Sequence, residues 1–134
     1  MRRIHQTLFV IIAALLLVAC QKADQATLEH NREVATMRTQ LLADVTAIVD
    51  ATYAYRTAHH DHLPFALTTN GKPLEICKAA SKNCPRMVRI DALVPAYLAG
   101  IPVNPLADPA KQGTGYAIKR GSDGKVTVLT LVQP

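Results

Sequence analysis

Tryptophan is absent, and two Phe and four Tyr are the whole aromatic complement of the 134 residues. That is too little for a platform on which successive bases could stack. No P-loop, GxSxG, HExxH or GxGxxG pattern occurs, so the usual phosphate-cradling, hydrolase, zinc-protease and dinucleotide signatures are missing. Serine occurs at Ser81 and Ser122 alone, with no nucleophile elbow or neighbouring base, and the carboxylates are scattered along a helix and in turns. No catalytic residue can be named, and the chain is not expected to be an enzyme. Charge of one sign is also scarce. The formal balance is +5, but Arg2 and Arg3 belong to a segment expected to be removed, which leaves an excess of three. So mild an excess does not suggest a nucleic-acid partner. The length suits a single domain. An apolar content of 49% is not that of a disordered chain, although part of it is concentrated in one N-terminal run.

That run, Leu8 to Ala19, has twelve residues and no polar side chain. It follows the basic start Met1-Arg2-Arg3 and ends at Cys20, after which Gln21 to Gln25 are mostly polar. A basic start, an apolar stretch and a small residue before the cut describe a secretory signal peptide. The run is shorter than the roughly 20 residues that a spanning helix needs. Leu17-Val18-Ala19-Cys20 resembles the lipobox of bacterial lipoproteins. The resemblance implies cleavage before Cys20, a diacylglycerol on its thiol and an acyl chain on the new amine. No other cofactor is expected. Acyl chains stabilise membrane attachment by about 0.8 kcal/mol per buried CH₂. Gln21 stands where Asp would resemble an inner-membrane retention signal. The expected location is therefore the bacterial envelope, on the periplasmic face of the outer membrane. The same residues also fit an uncleaved anchor, or an ordinary signal peptide with an incidental Cys. The expected organisation is a signal peptide over 1–19, a lipidated Cys and polar linker over 20–26, and a globular domain over 27–134.

Export places the other two cysteines, Cys77 and Cys84, in an oxidising compartment. They enclose a short polar loop, and a disulfide between them is the expectation. A redox pair or half of a metal site are the alternatives, against which stand the missing CxxC spacing and the lack of nearby His or Cys.

Proline and glycine are missing from the first half altogether: the first Pro is Pro64 and the first Gly is Gly71. Helix is expected first, then turns and strands. Val34, Met37, Leu41, Val45, Ile48, Ala51 and Tyr55 recur at steps of three and four, and Leu42, Val49 and Thr52 widen the stripe. The spacing predicts one amphipathic helix from about Asp24 or Thr27 to about Ala58. Asp24 could cap its start, and His59 and His60 suit its C-terminal end. A helical turn is expected within Arg89–Leu98, before Pro95. Thr114–Arg120 and Lys125–Val132 are β-rich runs joined by Gly121-Ser122-Asp123-Gly124, a hairpin signal. The fold class is α+β, with a long N-terminal amphipathic helix packed on a small antiparallel sheet.

The order of parts carries a second resemblance. A long helix enters Tyr53-Ala54-Tyr55-Arg56, and a turn ends at Leu63-Pro64. After a Cys-bearing loop come Leu93-Val94-Pro95-Ala96-Tyr97-Leu98-Ala99-Gly100-Ile101-Pro102-Val103-Asn104-Pro105 and then Gly113-Thr114-Gly115-Tyr116-Ala117-Ile118. From roughly Ala43 to Val128 this resembles the globular domains of type IV pilins and of the pseudopilins of type II secretion. The resemblance implies a pilin-like head. Three departures qualify it. No prepilin cleavage site is present. Residues 21–33 are polar and unsuited to an apolar filament stalk. Asn104 stands where the family's "DP" has Asp. Filament polymerisation is therefore not expected. Asp108 and Asp123 are the nearby candidates for the calcium site of the major pseudopilin, which is few ligands for a hard cation.

His59-His60-Asp61-His62 is the one reactive-looking cluster. His59, His60 and His62 could hold zinc or copper with help from Asp61; the alternative is a solvated helix terminus. Lys78, Lys82, Arg86 and Arg89 form a basic patch around the Cys loop, suited to an anionic surface or simply to solvent. The function expected is that of a membrane-tethered scaffold or interaction protein, accessory to a type II secretion or type IV pilus-like system. The other reading is a periplasmic metal- or ligand-binding lipoprotein that uses the His59–His62 cluster.

Overall fold

The computed structural model describes residues 25–68 and 70–134. The elements run α1 (Arg2–Ala58), β1 (Leu74–Cys77), a 3₁₀ turn (Asp91–Leu93), β2 (Gly113–Arg120) and β3 (Val126–Thr130). The chain divides into two compact units, Met1–Thr36 and Met37–Pro134. In the described part of the first, residues 25–33 are exposed and only Val34 is half-buried. Asp24, the expected cap, lies outside the described residues.

In the second unit the helical periodicity becomes packing. Leu41, Ile48 and Ala51 are buried, and Val45, Val49 and Tyr55 are half-buried beside them. Thr52 belongs to the same face: it is fully buried, and its hydroxyl donates to the carbonyl of Ile48 at 2.7 Å. That back-bond lets a polar atom sit in the core. Leu42 departs from expectation. It is 68% exposed, because it lies one step beyond the face that meets the sheet. The helix ends at Ala58, as the sequence predicts. His60 (φ 52°) and Asp61 (φ 67°) turn left-handed, and the Asp61 N–H closes the last turn on the Arg56 carbonyl at 2.8 Å. The Arg56 guanidinium pairs with Asp61 and donates to the Gly124 carbonyl at 3.3 Å, tying the helix end to the hairpin turn.

The three strands form an antiparallel sheet in the order β1-β2-β3. The predicted hairpin is β2–β3, with Tyr116 opposite Thr130 and Ile118 opposite Val128. Tyr116, Ile118, Val126 and Val128 are all buried, and with the helix stripe they form the core. The expected alternation along β2 is incomplete, for residues 113–118 are buried without a break. The outer face of this central strand is covered as well. The Gly115 N–H donates to the Glu75 carboxylate at 3.1 Å, and Asn104 and Ala107 lie against Gly115 so closely that a Cβ there would stand 2.9 Å from the Cβ of Asn104. With φ at +78°, Gly115 meets both constraints only as glycine. Asn104 itself is buried. Its amide donates to the Val132 carbonyl at 2.9 Å, and its Oδ1 accepts from the Leu106 N–H at 2.9 Å. An ionised Asp could not supply the first of these bonds. The helical turn expected before Pro95 is the 3₁₀ turn, which buries Leu93.

Strand β1 was not foreseen. Leu-Glu-Ile-Cys is too short to display a period, and it follows Pro73 directly. Its place is fixed by pairing with β2 and by a parallel bridge from Ile76 to Val88.

Among the described residues, the shortest hydrogen bond between helix and sheet is made by Tyr116. The hydroxyl of Tyr116, on the central strand, donates to Asp44 Oδ2 at 2.6 Å, and Gln40 donates to the other carboxylate oxygen at 2.7 Å. Burial foremost, then the hydrogen bond and the negative charge of Asp44, push the Tyr116 phenol well above the ordinary tyrosine range. The folded state therefore keeps this proton where an unfolded tyrosine, near pH 10, loses it. The stabilisation is complete below about pH 10 and is lost as pH rises beyond it. Tyr116→Phe is expected to lower unfolding free energy by about 1–2 kcal/mol in neutral denaturant titrations. It should also flatten the alkaline loss of stability; an unchanged alkaline slope would show that another group carries it.

Candidate functional site

The Cys loop grows out of β1. Cys77 ends the strand and is bonded to Cys84, with the two Cα atoms 6.0 Å apart. The loop closes on itself: the Ser81 N–H donates to the Lys78 carbonyl at 3.0 Å, and Met87 donates to Cys84 at 3.3 Å. The chain then returns alongside β1, where Cys77 donates to Val88 and Val88 to Glu75, both at 2.9 Å. The disulfide thus locks the outer edge of the sheet.

The basic patch is divided by what its members touch. The Lys78 ammonium is taken up by the 108–111 turn, where it donates to the carbonyls of Lys111 at 2.6 Å, Asp108 at 3.0 Å and Pro109 at 3.4 Å. Arg89 is held by Asp91 at 2.8 Å and by the Ser81 carbonyl at 2.8 Å. Lys82, Arg86 and Arg89 remain exposed, but Arg89 is already paired with Asp91, so the unpaired part of the patch is smaller than the sequence suggests.

The histidines are dispersed in role. His59 stacks on Tyr55 with ring centroids 4.0 Å apart, and its Nε2 lies 3.3 Å from the Tyr97 hydroxyl. His62 Nδ1 lies 2.9 Å from the His60 carbonyl and 3.2 Å from that of His59. His60 occupies the left-handed turn, and Asp61 is engaged by Arg56. Among the described residues, no group of three or more His, Cys, Asp or Glu side chains is placed to hold a metal ion. Asp108 and Asp123 serve their own turns, each accepting a backbone N–H two residues on at 2.9 Å. The structure does not bring His59, His60 and His62 together as a ligand set.

The other exposed feature is the edge of the hairpin. A groove of about 420 Å³ runs between α1 and β3, lined mainly by Leu41, Leu42, Val45, Val128, Leu129 and Thr130. Leu131 and Val132, just beyond β3, are 51% and 40% exposed. Sequence reasoning pointed to the hairpin edge as a surface for docking but placed Leu42 in the core stripe, and so missed the helix side of this groove. The step from Leu41 to Leu42, two adjacent apolar residues on a helix that can bury only one, was the available signal.

The lipidation residue, Cys20, and the 1–19 segment lie outside the described residues. Among the described residues no helix is long and apolar enough to cross a membrane. The chain matches no known family, no characterised protein and no solved structure.

Reduction of the disulfide, or replacement of both cysteines by Ala, is expected to lower stability by about 2–3 kcal/mol. Lys78→Ala should raise amide exchange across 108–112 by removing the cation that gathers three carbonyls. Denaturant unfolding with and without reductant, and hydrogen exchange, check the two statements. Unchanged exchange would make the Lys78 contacts incidental.

Proposed function

We propose that this chain is a lipid-anchored envelope protein that acts by docking and not by catalysis. In this reading an acylated Cys20 holds a pilin-like α+β head at the periplasmic face of the outer membrane. The head serves as an accessory of a type II secretion or type IV pilus-like machine. The observation that carries the reading is the segment between Cys20 and the head. Its described part, residues 25–33, is mostly polar and solvent-exposed, while the second unit, which holds the sheet, begins at Met37. Such a segment suits a spacer between a membrane and a docking head, and it is unsuited to the apolar stalk of a filament subunit.

The side chains point the same way. Among the described residues, the shortest hydrogen bond between helix and sheet, Tyr116 with Asp44, holds the two elements of the head together. The surfaces left to meet a partner are the loop over 61–88 and the edge of the hairpin. Tethering raises the local concentration of the head, so a weak interface suffices.

Crosslinking in cells from the 61–88 loop, followed by mass spectrometry of the solubilised complex, tests the reading. Enrichment of pseudopilins, a secretin or pilus assembly proteins is the expected result. Recovery of the chain alone would overturn the accessory role.

A further inference from the structure

We propose that the free edge of β3 is a strand-addition site for an extended, apolar, acid-flanked segment of a partner protein. This rests on the docking function above and names its surface. The pairing pattern identifies the free groups. Leu131 donates to Gly115 at 2.8 Å, and Gly121 donates to Lys125 at 2.8 Å. In an antiparallel ladder, hydrogen-bonded pairs alternate with pairs that are not. The odd positions of β3 therefore bond inward to β2, and the even positions, 126, 128 and 130, direct N–H and C=O outward. The Val126 N–H confirms this direction by donating to the Tyr53 hydroxyl at 3.3 Å. Among the described residues, the outward N–H groups of Val128 and Thr130 have no such partner, and the groove against α1 lies beside them.

The two edges of the sheet are finished differently. The β1 edge is closed by the parallel bridge to Val88 and by the disulfide loop. Beyond Val126, which the helix covers through Tyr53, the β3 edge carries no charge, no Pro and no bulge to block strand addition. An extended segment laid here would exchange backbone hydrogen bonds with Val128 and Thr130. Its alternate side chains would meet Leu41, Leu42 and Val45 of the helix.

Charge selects the occupant. Arg38 lines the groove and no Asp or Glu does, while Lys125, exposed, lies in the chain just before β3. A partner segment with carboxylates flanking an apolar centre complements the Arg38 of the groove and the exposed Lys125 that precedes the strand. A second copy of β3 does not. Antiparallel self-pairing centred on Leu129 would carry Lys125 of the partner copy to Gln133, beside Arg38. Like charges so placed disfavour the dimer.

The test uses the full chain, isotope-labelled and held in detergent micelles. The probe is a short acetylated and amidated peptide of alternating Val and Thr with Glu at both ends; the control peptide carries Lys instead. The Glu peptide is expected to shift the Val128 and Thr130 amides and to slow their exchange by about tenfold or more. The Lys peptide should bind about tenfold more weakly. Thr130→Pro removes an outward N–H and leaves the inward bonds of Leu129 and Leu131, so it should abolish binding. Arg38→Glu, on the exposed helix surface, should reverse the preference between the peptides and keeps the test decisive if the Pro variant misfolds. Absence of shifts at Val128 and Thr130, equal binding of both peptides, or an edge-dependent dimer in place of peptide binding would each overturn the proposal. Crosslinks from the 61–88 loop to secretion machinery, with no peptide response at β3, would leave the docking function standing and remove only this edge from it.

Discussion

The packing of one helix face against one sheet face organises this molecule, and the contact between Tyr116 and Asp44 sets its alignment. Fully burying a large aliphatic side chain contributes roughly 1.5–3 kcal/mol, so Leu41, Ile48, Ile118 and Val128 supply the driving force. Such burial is not directional. A phenol on the central strand that reaches a carboxylate on the helix at 2.6 Å is directional. Sliding the helix by one turn would leave the fully buried Tyr116 hydroxyl without its partner, at a cost of about 1–3 kcal/mol, while the half-buried Asp44 would keep only its bond from Gln40. The apolar stripe brings helix and sheet together, and the polar pair selects one arrangement of them.

From that alignment follow the two unequal edges of the sheet. A three-stranded sheet covered by one helix has little margin, and the chain spends its covalent crosslink on one side of it. The Cys77–Cys84 loop, the bridge to Val88 and the Lys78 contacts with the 108–111 turn all secure the β1 side. On the β3 side the helix end is tied to the hairpin by Arg56 and Tyr53, and beyond those contacts the strand edge is bare. A closed edge opposite an open one is what the docking role proposed above would require.

The parts of this fold that could be read from the sequence are those with a long period or a fixed punctuation. The helix end at Ala58 followed from the stripe and from the missing Pro and Gly. The hairpin followed from Gly121-Ser122-Asp123-Gly124 between two β-rich runs, and the turn at Asp91–Leu93 from Pro95. Strand β1 escaped because four residues cannot show an alternation. The continuous burial of β2 escaped because it depends on the distant Glu75, Asn104 and Ala107. The candidate site was less legible still. Lys78 and Arg89 look like surface charges in sequence, yet Lys78 is engaged by three backbone carbonyls of the 108–111 turn and Arg89 by that of Ser81. Leu42 looks like core and is exposed, because the sheet is narrower than the apolar stripe.

The central claim is that this head is held at a membrane by a lipid on Cys20. The most direct measurement is the intact mass of the mature chain recovered from the membrane fraction of a bacterial host that exports it. The account predicts a chain that begins at Cys20 and carries the mass of a diacylglycerol with a further acyl group on its amine. An unmodified chain in the soluble fraction, or one that retains residues 1–19, would contradict it.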